Sequence, residues 1–75
     1  MLLANGFEKA FLGIGRQFNK ELAVYDYDKC IDILTKDMCR EDAVEYFEFN
    51  VVGAYVGEDT PIFVEKERIN HALLH

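Results

Sequence analysis

Residues 45–64 read EYFEFNVVGAYVGEDTPIFV, and the change of pattern within them decides the fold. Up to about Val52 the apolar residues recur at helical steps. Then Gly53, Gly57 and Pro61 break the run before a short β-branched and aromatic segment. Read outward from here, a helix opens at Arg40-Glu41-Asp42, with acids at the end of the dipole that favours them. Its inner stripe is Ala43, Val44, Phe47, Val51 and Ala54, and Glu41, Glu45 and Glu48 fall on the outer side. Tyr46 and Phe49 flank the stripe. Either Gly53 or Gly57 can end this helix, and Gly57 is the better C′ residue because Glu58-Asp59-Thr60-Pro61 cannot continue it. Pro61 then opens a third strand, Ile62–Glu65, a position open to proline at a sheet edge. The stretch holds five of the ten aromatics, a density beyond what closing a small core requires. Part of it is therefore available to a partner.

Upstream, FLGIGR (11–16) and ELAVY (21–25) are apolar runs joined by a short polar connection, which predicts a β-hairpin. Asn19 tolerates positive φ and suits the turn. Gly13 and Gly15 leave one face of the first strand bare, open to close approach. After Tyr25 the period lengthens. Asp26 caps a helix with Tyr27, Cys30, Ile31, Ile33, Leu34 and Met38 on one side, Asp28 in its first turn and Lys36 in its last.

The order is β-β-α-α-β. It predicts a small two-layer α+β domain, two amphipathic helices on a three-stranded antiparallel or mixed sheet. Residues 1–65 make the single compact domain, and 66–75 are a C-terminal tail, frayed or a loose helical turn. The second sheet face has no predicted cover. If it held Phe11, Phe18, Tyr25 or Phe63 it would favour a homodimer or partner docking. A 75-residue chain buries only about 60% of its unfolded surface, which adds to that pressure. Composition argues for a globular chain: 51% hydrophobic, 13% aromatic and one proline. No run approaches the roughly 18 apolar residues of a membrane span. The start, MLLANGFEK, lacks a basic region ahead of its apolar residues, so no signal peptide is expected.

The net charge of −6 is unevenly placed. Residues 26–59 hold ten acids against three bases, a balance of −7, and the remaining residues carry +1. Phosphates are bound by cations, so direct nucleic-acid binding through this region is disfavoured. A solubilising polar face explains the acids simply; a negative surface meeting a basic partner is the sharper reading. Cys30 and Cys39, nine apart, fit neither a zinc pattern nor a CxxC and read as two small buried apolar residues.

No reaction signature is present. Glu41/Glu45 and Glu45/Glu48 share a helix face, but an outward row does not supply the desolvation that acid–base catalysis needs. The loop spacing of an EF-hand is absent. The chain has no serine, and its two histidines, His71 and His75, fall in the tail. Gly13-Ile14-Gly15-Arg16 is a fragment of GxGxxG with Phe18 where the third glycine belongs, and a strand follows it. No catalytic residue, metal site or cofactor is predicted. Asn50, inside the apolar run Phe49-Asn50-Val51-Val52, reads as a structural amide tying the helix to the following loop, with partner recognition as the alternative.

The segments Glu45–Asn50, Gly53–Glu58 and Thr60–Phe63, with Phe11–Gly15, Ala23–Asp26 and Ile33-Leu34 in similar positions, resemble a family of small phage-encoded proteins of unknown function. The resemblance covers roughly residues 4–64. Cys39, in place of a hydroxyl cap, and the tail after Glu65 depart from it. It implies phage origin and an accessory role in the cytoplasm of the infected bacterial cell. With no visible chemistry and one-sided charge, the expected function is protein–protein binding that modulates or inhibits a host protein. The contact residues are Glu41, Glu45, Tyr46, Glu48, Phe49 and Tyr55. The expected partner is basic, such as a nucleic-acid-handling host or phage protein. A self-associating structural component is the alternative, and a small ligand-binding domain or enzyme ranks below both.

Overall fold

In the computed structural model, residues 1–54 and 57–65 are described. β1 (Phe11–Gln17) and β2 (Lys20–Asp26) form the expected antiparallel hairpin, paired from Phe11↔Tyr25 to Gln17↔Lys20. A bulge lies between Phe11 and Gly13. The connection is the two residues Phe18-Asn19, and the positive φ falls on Phe18 (56°), not on Asn19 as the asparagine suggests. A left-handed backbone at a bulky residue is strained. Phe18 has nothing to offset it, because its side chain is 94% exposed.

Asp26 ends β2 and caps α1 (Tyr27–Leu34): its Oδ1 accepts from the Lys29 N–H at 3.2 Å. Lys36 lies beyond the helix, which closes two residues earlier than its charge pattern suggests, with the Thr35 hydroxyl donating to the Asp32 carbonyl at 2.7 Å. α2 (Arg40–Phe47) follows Cys39, which occupies the N-cap position without a side-chain bond. The chain then widens into a π turn over Glu48–Val52, closed by the Gly53 N–H on the Glu48 carbonyl at 2.9 Å. Gly53, not Gly57, therefore ends the helical stretch. A β-carbon at Gly53 would lie 2.9 Å from the Glu48 carbonyl oxygen and 3.2 Å from that of Phe49, so the wide turn needs a glycine there. Gly57 serves a separate turn, at φ +107°, with the Thr60 hydroxyl donating to its carbonyl.

β3 (Ile62–Val64) pairs parallel to β2, Val24↔Ile62 and Tyr25↔Phe63. A parallel pair needs a long crossover, and the two helices supply it. The sheet order is β1-β2-β3 and the element order β-β-α-α-β, a small α+β fold with a mixed sheet.

The core lies between the sheet and the helices. Ala23, Tyr25, Cys30, Ile31, Ala43, Phe47 and Val51 are buried. Val44 is half-buried, whereas Ala54, beyond the π turn, is exposed, because the wide turn rotates it off the stripe. Residues 1–10, which carry no predicted element, contribute Ala4, Phe7 and Ala10 to the same core, through a 3₁₀ turn at Glu8–Ala10. Phe11, Tyr25 and Phe63 are joined ring to ring on this covered side, at 5.4 and 5.8 Å. The opposite face carries Leu22, Val24 and Ile62 in their place, since Val24 pairs with Ile62 and the Gly15 β-position points at both.

Two stability measurements follow. Gly53→Ala pushes a methyl onto backbone oxygens and should cost about 1–3 kcal/mol, read as a lower urea midpoint. Phe18→Gly relieves the turn without losing a contact. It should raise stability by up to about 1 kcal/mol after the extra unfolded-state entropy of glycine.

Candidate functional site

α2 and the π turn hold the residues that the sequence singles out. Glu41, Glu45, Tyr46, Glu48 and Phe49 are all exposed; Tyr55 lies outside the described residues. Phe47, Ala43 and Val51 take the inward positions, which forces these neighbours outward on the helical period. They do not form one cluster. Glu45, Tyr46 and Phe49 line an open depression of about 480 Å³ together with Met38, Asp42 and Asn50. Glu41 and Glu48 stand apart from it. Asp42 and Met38 belong to the site although the sequence reading omits them; Asp42 lies four before Tyr46 on α2, which marks it, whereas Met38 precedes α2 and has no such signal.

Asn50 is a correction. It is exposed, on the rim shared with a second depression of about 430 Å³, and is no buried structural amide. The π turn swings it outward. This second depression has an apolar floor, Phe7, Ile33, Leu34 and Val51, between the N-terminal segment and the two helices. Tyr46 and Asn50 form the ridge between the two. Tyr46 is 45% exposed and Phe49 75%, an uncommon amount of aromatic surface for a small chain to leave in water.

The ion pairs explain where the negative potential concentrates. Arg40 reaches Asp28 at 3.8 Å and Asp32 at 3.6 Å, and Lys20 reaches Glu58 at 3.5 Å. All are exposed, so each adds at most about 1 kcal/mol. Among the described residues no ion pair engages Glu41, Asp42, Glu45 or Glu48. The outer side of α2 and the start of the π turn therefore keep a run of carboxylates that no ion pair offsets among the described residues.

Other titratable groups are structural. Burial pushes the Tyr27 phenol above its usual value, and Glu48, Glu65 and Asp28 push the same way, against Arg40. Glu8 is held below the usual range by backbone N–H groups, its own first and that of Gly6 second. Cys30 and Cys39 are not alike: Cys30 is buried and Cys39 exposed. Burial, with Asp26 nearby, pushes the Cys30 thiol up to about 12, which keeps it a neutral core residue and a poor nucleophile. No group of three or more metal-ligating side chains occurs among the described residues, and no helix among them is long and apolar enough to cross a membrane.

No family model, curated protein or solved structure matches this chain.

The Cys30 shift has a pH consequence. Its folded pKa lies above the unfolded value, so its stabilising contribution is complete well below about pH 9 and declines as the unfolded thiol ionises. From about pH 9 up to the folded value of about 12 the stability should fall with a slope approaching about 1.4 kcal/mol per unit. Cys30→Ala should flatten that slope in urea titrations while lowering stability at pH 7. Cys39 should react with a thiol reagent in the native state, whereas Cys30 should react only after unfolding.

Proposed function

We propose that this chain is a phage-encoded accessory protein that works by occupying a basic surface on another protein. The observation that carries this reading is the outer side of α2. There, continuing into the π turn, four carboxylates have no ion-pair partner among the described residues, and two of them, Asp42 and Glu45, line one depression with two exposed aromatic rings. Long-range attraction from Glu41, Asp42, Glu45 and Glu48 steers a cationic partner toward the face. Tyr46 and Phe49 then supply the contact area, and their ring faces suit a lysine or arginine side chain from the partner. The depression they line with Asp42 and Glu45 is open and shallow, a shape that suits a side chain from a protein surface better than an enclosed small molecule. On this reading, which the resemblance to small phage-encoded proteins supports, the partner is met in the cytoplasm of an infected bacterium. A nucleic-acid-handling protein, basic by necessity, is the class that fits, and blocking or modulating it is the consequence of binding.

A second reading, a self-associating component, draws on β1. This seven-residue edge strand exposes Phe11, Leu12 and Ile14, and Phe18 extends the apolar row at its tip. Exposed edge strands of this kind can template strand pairing between copies.

Reversing Glu41, Glu45 and Glu48 to lysine, and separately Tyr46 and Phe49 to alanine, tests the first reading in pull-downs from infected-cell lysate. Both variants should lose a partner that the unsubstituted chain retains, and the retained complex should weaken steeply with added salt. If every captured protein survives the charge reversal, the acidic face is not the contact. A stable dimer in sedimentation across a concentration series, lost on replacing Leu12 and Ile14 by lysine, would favour the second reading.

A further inference from the structure

The two depressions beside α2 adjoin but differ in chemistry. The first carries two carboxylates, Asp42 and Glu45, two rings, Tyr46 and Phe49, and the Met38 side chain. The second is floored by Phe7, Ile33, Leu34 and Val51, and no acid or base among the described residues lines it. At about 480 and 430 Å³ they are similar in size. Tyr46 and Asn50 line both. These two stand four residues apart, so the divide is a ridge along one row of the helical stretch. A ridge of this spacing with a hollow on each side is a surface that a second helix can pack against. The ridge enters a groove of the incoming helix, and the side chains that border that groove fill the hollows.

The chemistry of each hollow specifies its occupant. In the first, Asp42 lies four residues before Tyr46 and Glu45 four before Phe49, so each carboxylate has an aromatic ring about one turn on. No ion pair engages either acid among the described residues. The complement in charge and shape is a flat cation. A guanidinium lays its face on a ring while its edge donates to carboxylates, whereas a lysine ammonium is a compact, strongly hydrated charge with no stacking face. In the second hollow a charge would lose hydration with no counter-charge to pair it, and an aliphatic side chain is the match.

We infer that α2 and its π turn dock one amphipathic helix of the basic partner, with an arginine in the first hollow and an aliphatic residue one turn along in the second. This rests on the reading that a basic protein surface covers this face, and it adds the form of the element and the residue pair it presents. Residues four apart on the incoming helix have their Cβ atoms about 5–6 Å apart, enough to straddle a ridge one side chain wide. Tyr46, 45% exposed in the free chain, is then enclosed from both sides.

The probe is a blocked, alanine-based helical peptide carrying one arginine and a leucine four residues further on, titrated into isotopically labelled full-length protein. The amides of Asp42, Glu45 and Phe49 and the methyls of Ile33, Leu34 and Val51 should shift together, with one midpoint. Exchanging the peptide's arginine for lysine should weaken binding roughly three-fold, and for glutamine roughly ten-fold. Exchanging its leucine for alanine should weaken binding roughly five-fold. Asp42→Asn with Glu45→Gln, both at exposed positions, should abolish the arginine effect and keep the leucine effect. If the arginine matters and the leucine does not, the two-hollow assignment falls while the acidic face stands as a contact. Equal binding of the arginine and glutamine peptides would overturn the choice of arginine. An arginine–leucine peptide that does not bind below about 5 mM, or that shifts only other surfaces, overturns the inference as a whole. The pull-down with the charge-reversed chain then decides the parent reading separately.

Discussion

The structure depends on the burial of Phe47. Its side chain is fully buried, and its ring meets three others edge-on: Phe7 at 5.4 Å, Tyr27 at 5.3 Å and Phe63 at 5.0 Å. Those partners come from the N-terminal segment, the first turn of α1 and the last strand. A single side chain on α2 therefore joins the N-terminal segment, α1 and β3. Edge-to-face aromatic pairs contribute about 0.5–1.5 kcal/mol each beyond the area they bury, which is large against the narrow net stability of a domain this small. Tyr25 extends the network to Phe63 and Phe11 on the sheet, and its hydroxyl accepts the Ala4 N–H at 2.8 Å. The N-terminal residues are held by the same aromatic system as the helices.

From that constraint the character of the outer surface follows. Once Phe47 faces inward, Ala43 and Val51 lie with it at steps of four, and Glu41, Asp42, Glu45, Tyr46 and Phe49 have only solvent to face. The π turn carries the effect further. A continuous α-helix would bring Ala54 back toward the core. The wide turn leaves it exposed and presents Asn50 on the rim beside Tyr46. π turns within helices are often found at functional sites, and here the turn falls where the aromatic and acidic residues meet.

Much of this was legible in the residues. The hairpin, the Asp26 cap, the inward stripe and the order of elements each rest on a local signal: alternation, a short acid before a helical run, steps of three and four. What escaped has a common physical cause. Ala4 and Phe7 are buried through partners far along the chain, Tyr25 and Phe47, and no period in residues 1–10 announces those contacts. The π turn keeps nearly the composition of a helix, so neither the exposure of Asn50 nor the early stop at Gly53 can be read from spacing. At the hairpin tip, residue preference pointed to Asn19 for the positive φ. The two-residue connection places it on Phe18, and register overrides local preference there. The outward acids of α2 were legible, but their grouping was not, because only the fold separates Glu41 and Glu48 from the depression at Tyr46.

The ion pairs then decide how that surface acts. Arg40 opens α2 at the end where a positive charge is least favoured by the helix dipole, yet it bridges Asp28 and Asp32 on α1. That placement neutralises acids along the seam between the helices and leaves the outer side of α2 as the place where charge remains. The same side contributes little to the core, since its rings and carboxylates face water while Phe47 holds the helix from behind. Stability is therefore carried by one face of a short helix, and the opposite face takes little part in it. Substitutions at Glu45, Tyr46 or Phe49 change the outer surface while leaving the aromatic network around Phe47 intact. A small domain can change its exposed face in this way without refolding around the change.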